Sequence, residues 1–129
     1  MPLLAFLFAF AAALFATDTT AHAGSLSGSW SGGGSVHYSN KRERARCRAT
    51  YSHVSGTLYR MSASCSTPSG HVNQTATVNR VGNNEYAGNF HNSQYNVSGS
   101  IHIRLRGKSQ SVSLNGGSLG GGNIKLTRR

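Results

Sequence analysis

Four arginines, Arg42, Arg44, Arg46 and Arg48, recur at every second position of one short segment. On an extended strand they project to one side at intervals of about 7 Å, comparable to the charge spacing of a polyanion. A guanidinium grips phosphate or carboxylate through paired hydrogen bonds, which an ammonium does less well. Ten of the thirteen cations in the chain are arginine, so the composition favours that use. His102, Arg104 and Arg106 make a second basic row, and Arg60 joins the first row through the hairpin derived below. The expected anion-binding set is therefore Arg42, Arg44, Arg46, Arg48, Arg60, Arg104 and Arg106, forming one band if the two rows are neighbours. A plainer role stays open. Charged strands keep a small protein soluble and discourage edge pairing, although that role does not require a single sign.

The groups that catalysis needs are scarce. Paired carboxylates for acid–base work require two acids in proximity. Outside the first 23 residues there are only Glu43 and Glu85, and Glu43 lies among Lys41, Arg42, Arg44 and Arg46, which should keep it ionised and neutralised. A Ser-His-Asp triad has no Asp to draw on in that part of the chain. His37, His53, His71, His91 and His102 show no H-x-H, H-x-x-x-H or C-x-x-C-H spacing, so they read as surface or turn residues rather than metal or haem ligands. No glycine cluster continues into G-K-[ST] or opens a helix. The chain reads as a non-enzyme with no catalytic residue, metal or cofactor.

Residues 1–23 read as a secretory signal peptide: Leu3–Phe15 is an apolar run, and Ala21-His22-Ala23 ends in the small residues a signal peptidase accepts. The run is too short to span a bilayer comfortably, and no transmembrane segment is expected in the mature chain. That leaves residues 24–129 as a single domain, with all 13 basic residues, two acids and a formal charge of +11. Such a balance favours anionic partners: lipopolysaccharide, acidic lipid, acidic polysaccharide or nucleic acid, with a protein partner also open. The expected location is exported, periplasmic or secreted.

The positioning elements must be strands. Tyr95, Val97, Gly99, Ile101, Ile103 and Leu105 alternate with polar residues, the period of a half-buried strand, and a disordered chain has no reason to keep that phase. Cys47 and Cys65 are an even pair in an exported chain and should form a disulfide. If they face each other across a hairpin, its turn centres on Gly56, within Val54-Ser55-Gly56-Thr57. The same register pairs Ala49 with Ala63, Tyr51 with Met61 and His53 with Tyr59 on one face. It pairs Arg46 with Ser66, Arg48 with Ser64, Thr50 with Ser62 and Ser52 with Arg60 on the other. Closing this loop should contribute about 3 kcal/mol.

Further strands follow at Ser35–Ser39, His71–Arg80, Glu85–His91 and Tyr95–Arg106, then around Val112 and Leu114 and, after a turn at Gly120-Gly121-Gly122, around Ile124 and Leu126. With the N-terminal segment this makes about eight strands and no helix. The expected fold is all-β, a small up-and-down antiparallel barrel with one disulfide, or alternatively a β-sandwich. Gly88 and Gly99 interrupt apolar faces, as strands do where a small barrel bends.

Leu26-Ser27-Gly28-Ser29-Trp30 holds the only tryptophan, in a G-x-W context opening the first strand. This start resembles that of the calycin-type barrels: lipocalins, avidins and small periplasmic inhibitors of bacterial metalloproteases. The resemblance covers about residues 26–68 and implies a barrel plugged at one end by Trp30, covered by Lys125 or Arg128. The inhibitors are most similar in size, but the Trp30-to-Cys47 gap is longer here, and only Gly24-Ser25 would precede Leu26 after cleavage. The expected function is a non-enzymatic exported binding protein that engages an anionic envelope or extracellular partner through its arginine face. The alternatives are a protease inhibitor of the calycin type and a carrier of a small apolar ligand, the latter using Tyr38, Tyr51, Tyr59, Tyr86, Phe90 and Tyr95 as a cup.

Overall fold

A computed structural model describes residues 25–38 and 40–129, so the leader expected over 1–23 lies outside the described residues. Eight strands follow in chain order: β1 (Gly28–Tyr38), β2 (Lys41–Ser55), β3 (Leu58–Thr67), β4 (Gly70–Gly82), β5 (Glu85–Asn92), β6 (Val97–Arg106), β7 (Ser109–Asn115) and β8 (Gly121–Arg128). Each pairs antiparallel with the next, and β1 pairs with β8. The sheet therefore closes into an up-and-down barrel, which excludes the sandwich. A single 3-10 turn at Gly117–Leu119 is the one helical element among the described residues, and no helix there is long and apolar enough to cross a membrane.

Period-two alternation generates the two faces. In β2, Ala45, Cys47, Ala49 and Tyr51 are buried, while Arg42, Arg44, Arg46 and Arg48 are exposed. The β2–β3 register is the one the cysteines require, from Arg46–Ser66 through Cys47–Cys65 to His53–Tyr59, and the disulfide is formed. A register shift after His53 ends the regular ladder, and Gly56 turns the chain at φ 51°. A position with φ in that range suits glycine, which has no Cβ to clash. Inside, Trp30, Val78, Tyr86, Ile101 and Ile103 are essentially inaccessible to water. Tyr51 donates its hydroxyl to Gln110 Oε1 at 2.8 Å, and burial pushes its pKa upward.

Three expectations need correction. The N-terminal segment and the strand expected at Ser35–Ser39 are one strand, because β1 runs unbroken through Gly32-Gly33-Gly34 to Tyr38; Ser39 lies outside the described residues. Those glycines are a close approach rather than a turn. A Cβ at Gly32 would strike the Lys125 carbonyl oxygen, one at Gly34 the Asn123 carbonyl oxygen, and one at Gly33 would lie 2.6 Å from Ala45 O. β6 starts at Val97, not Tyr95: the Tyr95 N–H is drawn into a turn by Asn92 Oδ1 at 3.1 Å, and Asn96 takes φ 52°. Gly121 and Gly122 belong to β8, and the turn before it occupies Gly116–Gly120. Gly88 and Gly99 mark close approaches, since a Cβ at either would run into the neighbouring strand's carbonyl.

Candidate anion-binding face

The end of the barrel at the start of β1 is sealed by Trp30, whose indole N–H donates to Leu26 O at 3.0 Å. Arg128 lies over the ring, its guanidinium carbon 4.3 Å from the centroid, and donates to Ser27 O at 2.8 Å and Ser25 O at 2.6 Å. Of the two cations the sequence offers as a cover, Lys125 is excluded by phase. It stands on the outer face of β8 and is exposed.

Closure sets the surroundings of the first arginine row. Because β8 pairs with β1, the outer face of β1 is a floor with β2 on one side and β8 on the other. Ser31 is flanked by Arg48 and Thr127, Gly33 by Arg46 and Lys125, Ser35 by Arg44 and Asn123, and His37 by Arg42 and Gly121. Over Ser31–Ser35 the side chains of this floor are absent or small, and a trough of about 840 Å³ runs there, lined by these residues with Arg44, Arg46, Arg48, Asn123 and Arg129. The side chains of Arg42, Arg44, Arg46 and Arg48 make no hydrogen bond or ion pair among the described residues.

Glu43 does not neutralise them. Alternation throws it to the opposite side of β2, at the rim of the other barrel end, where it accepts from Ser69 Oγ at 2.5 Å and Tyr38 Oη at 2.7 Å. These two hydroxyls, in that order, hold its carboxyl at about 2, well below the usual carboxylate range. Lys41 is the smallest contributor. The Tyr38 hydroxyl is pushed up in return, chiefly by the same bond.

The remaining predicted residues scatter. Arg60 is exposed on β3 opposite Ser52 and Thr77, two strands from the floor of the trough. Arg104 and Arg106 are exposed on β6, and four steps around a circuit of eight separate β6 from β2. The two basic rows therefore lie on opposite sides of the barrel and form no common band. Arg104 also shares Glu85, with Nη2 at 3.4 Å from Oε2, and His102 Nε2 lies 2.7 Å from the same oxygen. The other histidines with close polar contacts are surface residues: His53 beside Gly56 O, His71 beside Ser66 Oγ and His91 beside Ser98 Oγ. Among the described residues no three His, Cys, Asp or Glu side chains gather in a way that could hold a metal ion.

Sequence reasoning missed Lys125, Asn123, Arg129, Ser31 and Ser35 as neighbours of the first row. The outward phase of Asn123, Lys125 and Thr127 was legible, but their place beside β1 follows only from closure.

At the mouth opposite Trp30, Tyr38 and Tyr95 pack with ring centres 4.9 Å apart, and Tyr95 is 41% exposed. Beneath them Gln74, Phe90, Asn92 and Val97 surround about 40 Å³ of free space. That is room for about one water, whose share of the liquid is about 30 Å³. Of the expected aromatic cup only Tyr38, Phe90 and Tyr95 line this space, while Tyr51, Tyr59 and Tyr86 lie towards the Trp30 end of the barrel.

The fold and this face define a small closed antiparallel barrel that carries an arginine row along the β1–β2 side. No protein family matches the sequence, nor does any curated protein. Solved structures share the fold. The redesigned β-barrel mFAP1, determined bound to DFHBI, superposes with a TM-score of 0.67 at 11% identity, covering 80% of this chain and 94% of that one. A fluorescence-activating β-barrel designed de novo gives 0.63 at 13% identity, covering 88% and 100%. At such identities the likeness is one of fold.

Proposed function

We propose that this protein is a non-enzymatic binding protein, exported to a periplasmic or extracellular space, whose outer β1–β2 face engages an anionic partner. One observation carries the reading: four guanidiniums stand in a row along β1 without a carboxylate partner among the described residues, while Glu43 is held on the other side of its strand. A row kept only for solubility has no reason to border a trough or to exclude its one acid. The Trp30–Arg128 seal supports kinship with calycin-type barrels, but the face, not the fold, carries the function. The test is retention of the oxidised protein on immobilised heparin across a salt series. Retention should collapse as salt rises, because bound cations are released from the polymer and exposed charges are screened. Retention independent of salt overturns the reading.

A second reading, a carrier of a small apolar ligand, draws on Tyr95, which is half out of the mouth on a turn, and on the DFHBI bound to mFAP1. It requires Tyr95 to swing away, since the free space beneath holds about one water. Tyr95→Ala should then raise the uptake of an environment-sensitive apolar dye. No uptake by either form refutes it.

A further inference from the structure

The trough narrows the choice of anion. Resting on the basic-face reading above, we propose that its occupant is a single extended chain of an acidic polysaccharide, laid along β1 between β2 and β8. Three features of the site point there. The first is width: β2 and β8 are two strand spacings apart, about 10 Å, which suits one polymer chain and leaves the convex cylinder of a duplex resting on the rim. A flat lipid surface would likewise miss the floor.

The second feature is the arrangement of charge. Arg44, Arg46 and Arg48 form one wall, and Lys125 stands across the floor from Arg46. Carboxylate or sulfate groups projecting from either side of a chain in the trough therefore meet a cation. The guanidinium forks meet such planar or tripodal oxygens with two parallel hydrogen bonds.

The third feature is what the trough lacks. Single-stranded nucleic acid gains much of its affinity by stacking bases on aromatic side chains. Here Trp30, Tyr51, Tyr86 and Phe90 are buried, Tyr38 and Tyr59 pack on the core, and Tyr95 sits at the mouth. Among the described residues no aromatic ring lines the trough. It offers instead the hydroxyls of Ser31 and Ser35 and the amide of Asn123, groups that exchange hydrogen bonds with sugar hydroxyls.

The experiment titrates the oxidised full chain with a size-defined heparin oligosaccharide and with single-stranded DNA of equal charge, at one low ionic strength. The same titrations are run on S31Y/S35Y, which fills the trough without altering charge. The heparin fragment should bind the natural chain at least about tenfold more tightly than the DNA, and S31Y/S35Y should lose about tenfold for heparin. Equal or tighter DNA binding overturns the polysaccharide assignment, as does unchanged heparin affinity in a folded S31Y/S35Y. Binding of neither polymer overturns the basic-face reading itself. If S31Y/S35Y does not fold, amide shift mapping on the natural chain decides. Heparin-induced shifts centred on Gly32, Gly33 and Gly34 uphold the proposal, and shifts centred on β6 or the mouth overturn it.

Discussion

Replacing Arg128 by Ala removes the cover of the barrel's closed end. Three interactions go together: the guanidinium over the Trp30 ring at 4.3 Å and two donated hydrogen bonds, to Ser27 O at 2.8 Å and Ser25 O at 2.6 Å. A charge-assisted hydrogen bond contributes about 1.5–3 kcal/mol and a cation–π contact about 0.5–2. Arg128 is only half-buried, and the freed carbonyls regain water, so the combined loss should be about 3 kcal/mol. With a urea slope of about 2 kcal/mol/M for a domain of this size, the unfolding midpoint should fall by about 1.5 M at unchanged slope. Trp30 is the only tryptophan, so its emission reports both the transition and the local environment. The folded variant should emit to the red as water reaches an indole that is otherwise 0% exposed. Arg128→Lys keeps a cation at the ring but not the two-carbonyl fork, and should lose about half as much. A midpoint within about 0.3 M of the natural chain, with unshifted emission, refutes the account of the seal.

Other outcomes follow from the same structure. Converting Cys47 and Cys65 to Ala, which opens a link between residues 18 apart, should cost about 3 kcal/mol in urea unfolding. Gly34→Ala drives a Cβ into the Asn123 carbonyl oxygen and should cost about 3 kcal/mol or more, whereas Gly56→Ala meets no atom within 4 Å and should cost about 1 kcal/mol for its left-handed backbone. Equal thermal shifts for the two would contradict the close β1–β8 approach. Glu43, held at about 2 in the folded chain against an ordinary 4.5, contributes stability that is fully present above about pH 4.5 and is lost as pH falls towards 2. Glu43→Gln should flatten that part of the stability–pH curve and leave the slope above pH 5 unchanged, as measured by thermal melts across about pH 2–7.

Much of this barrel is written in local pattern. The 18-residue separation of Cys47 and Cys65, the turn chemistry at Gly56 and the alternation on either side agree on one register, because a hairpin's pairing is set by neighbours in sequence. Phase alone also turns Arg42, Arg44, Arg46 and Arg48 outward, and it carries Gln110 inward with Val112, where it meets Tyr51. What local pattern does not carry is distance around the circuit. The separation of β2 from β6 follows from every strand pairing with the next one, and the return of β8 to β1 from the pairing of the first strand with the last. For that reason the sequence leaves open whether the two arginine rows are neighbours, and nothing there brings Asn123 to the trough or Lys125 beside it. The glycine run in β1 looks like an interruption because its cause, the carbonyls of β8, lies some 90 residues away. Glu43 shows the same limit: adjacency in sequence suggests the arginines as its partners, while strand alternation delivers it to Ser69 and Tyr38.

The central claim is that one side of the barrel, not its total charge, holds the anion. Two charge-matched variants test it directly: R44Q/R46Q at the trough and R104Q/R106Q on the opposite side, each titrated with the same heparin fragment at fixed salt. The first variant should lose about tenfold or more and the second less than about threefold. Equal losses in the two variants would contradict that claim and leave only diffuse attraction by a basic protein.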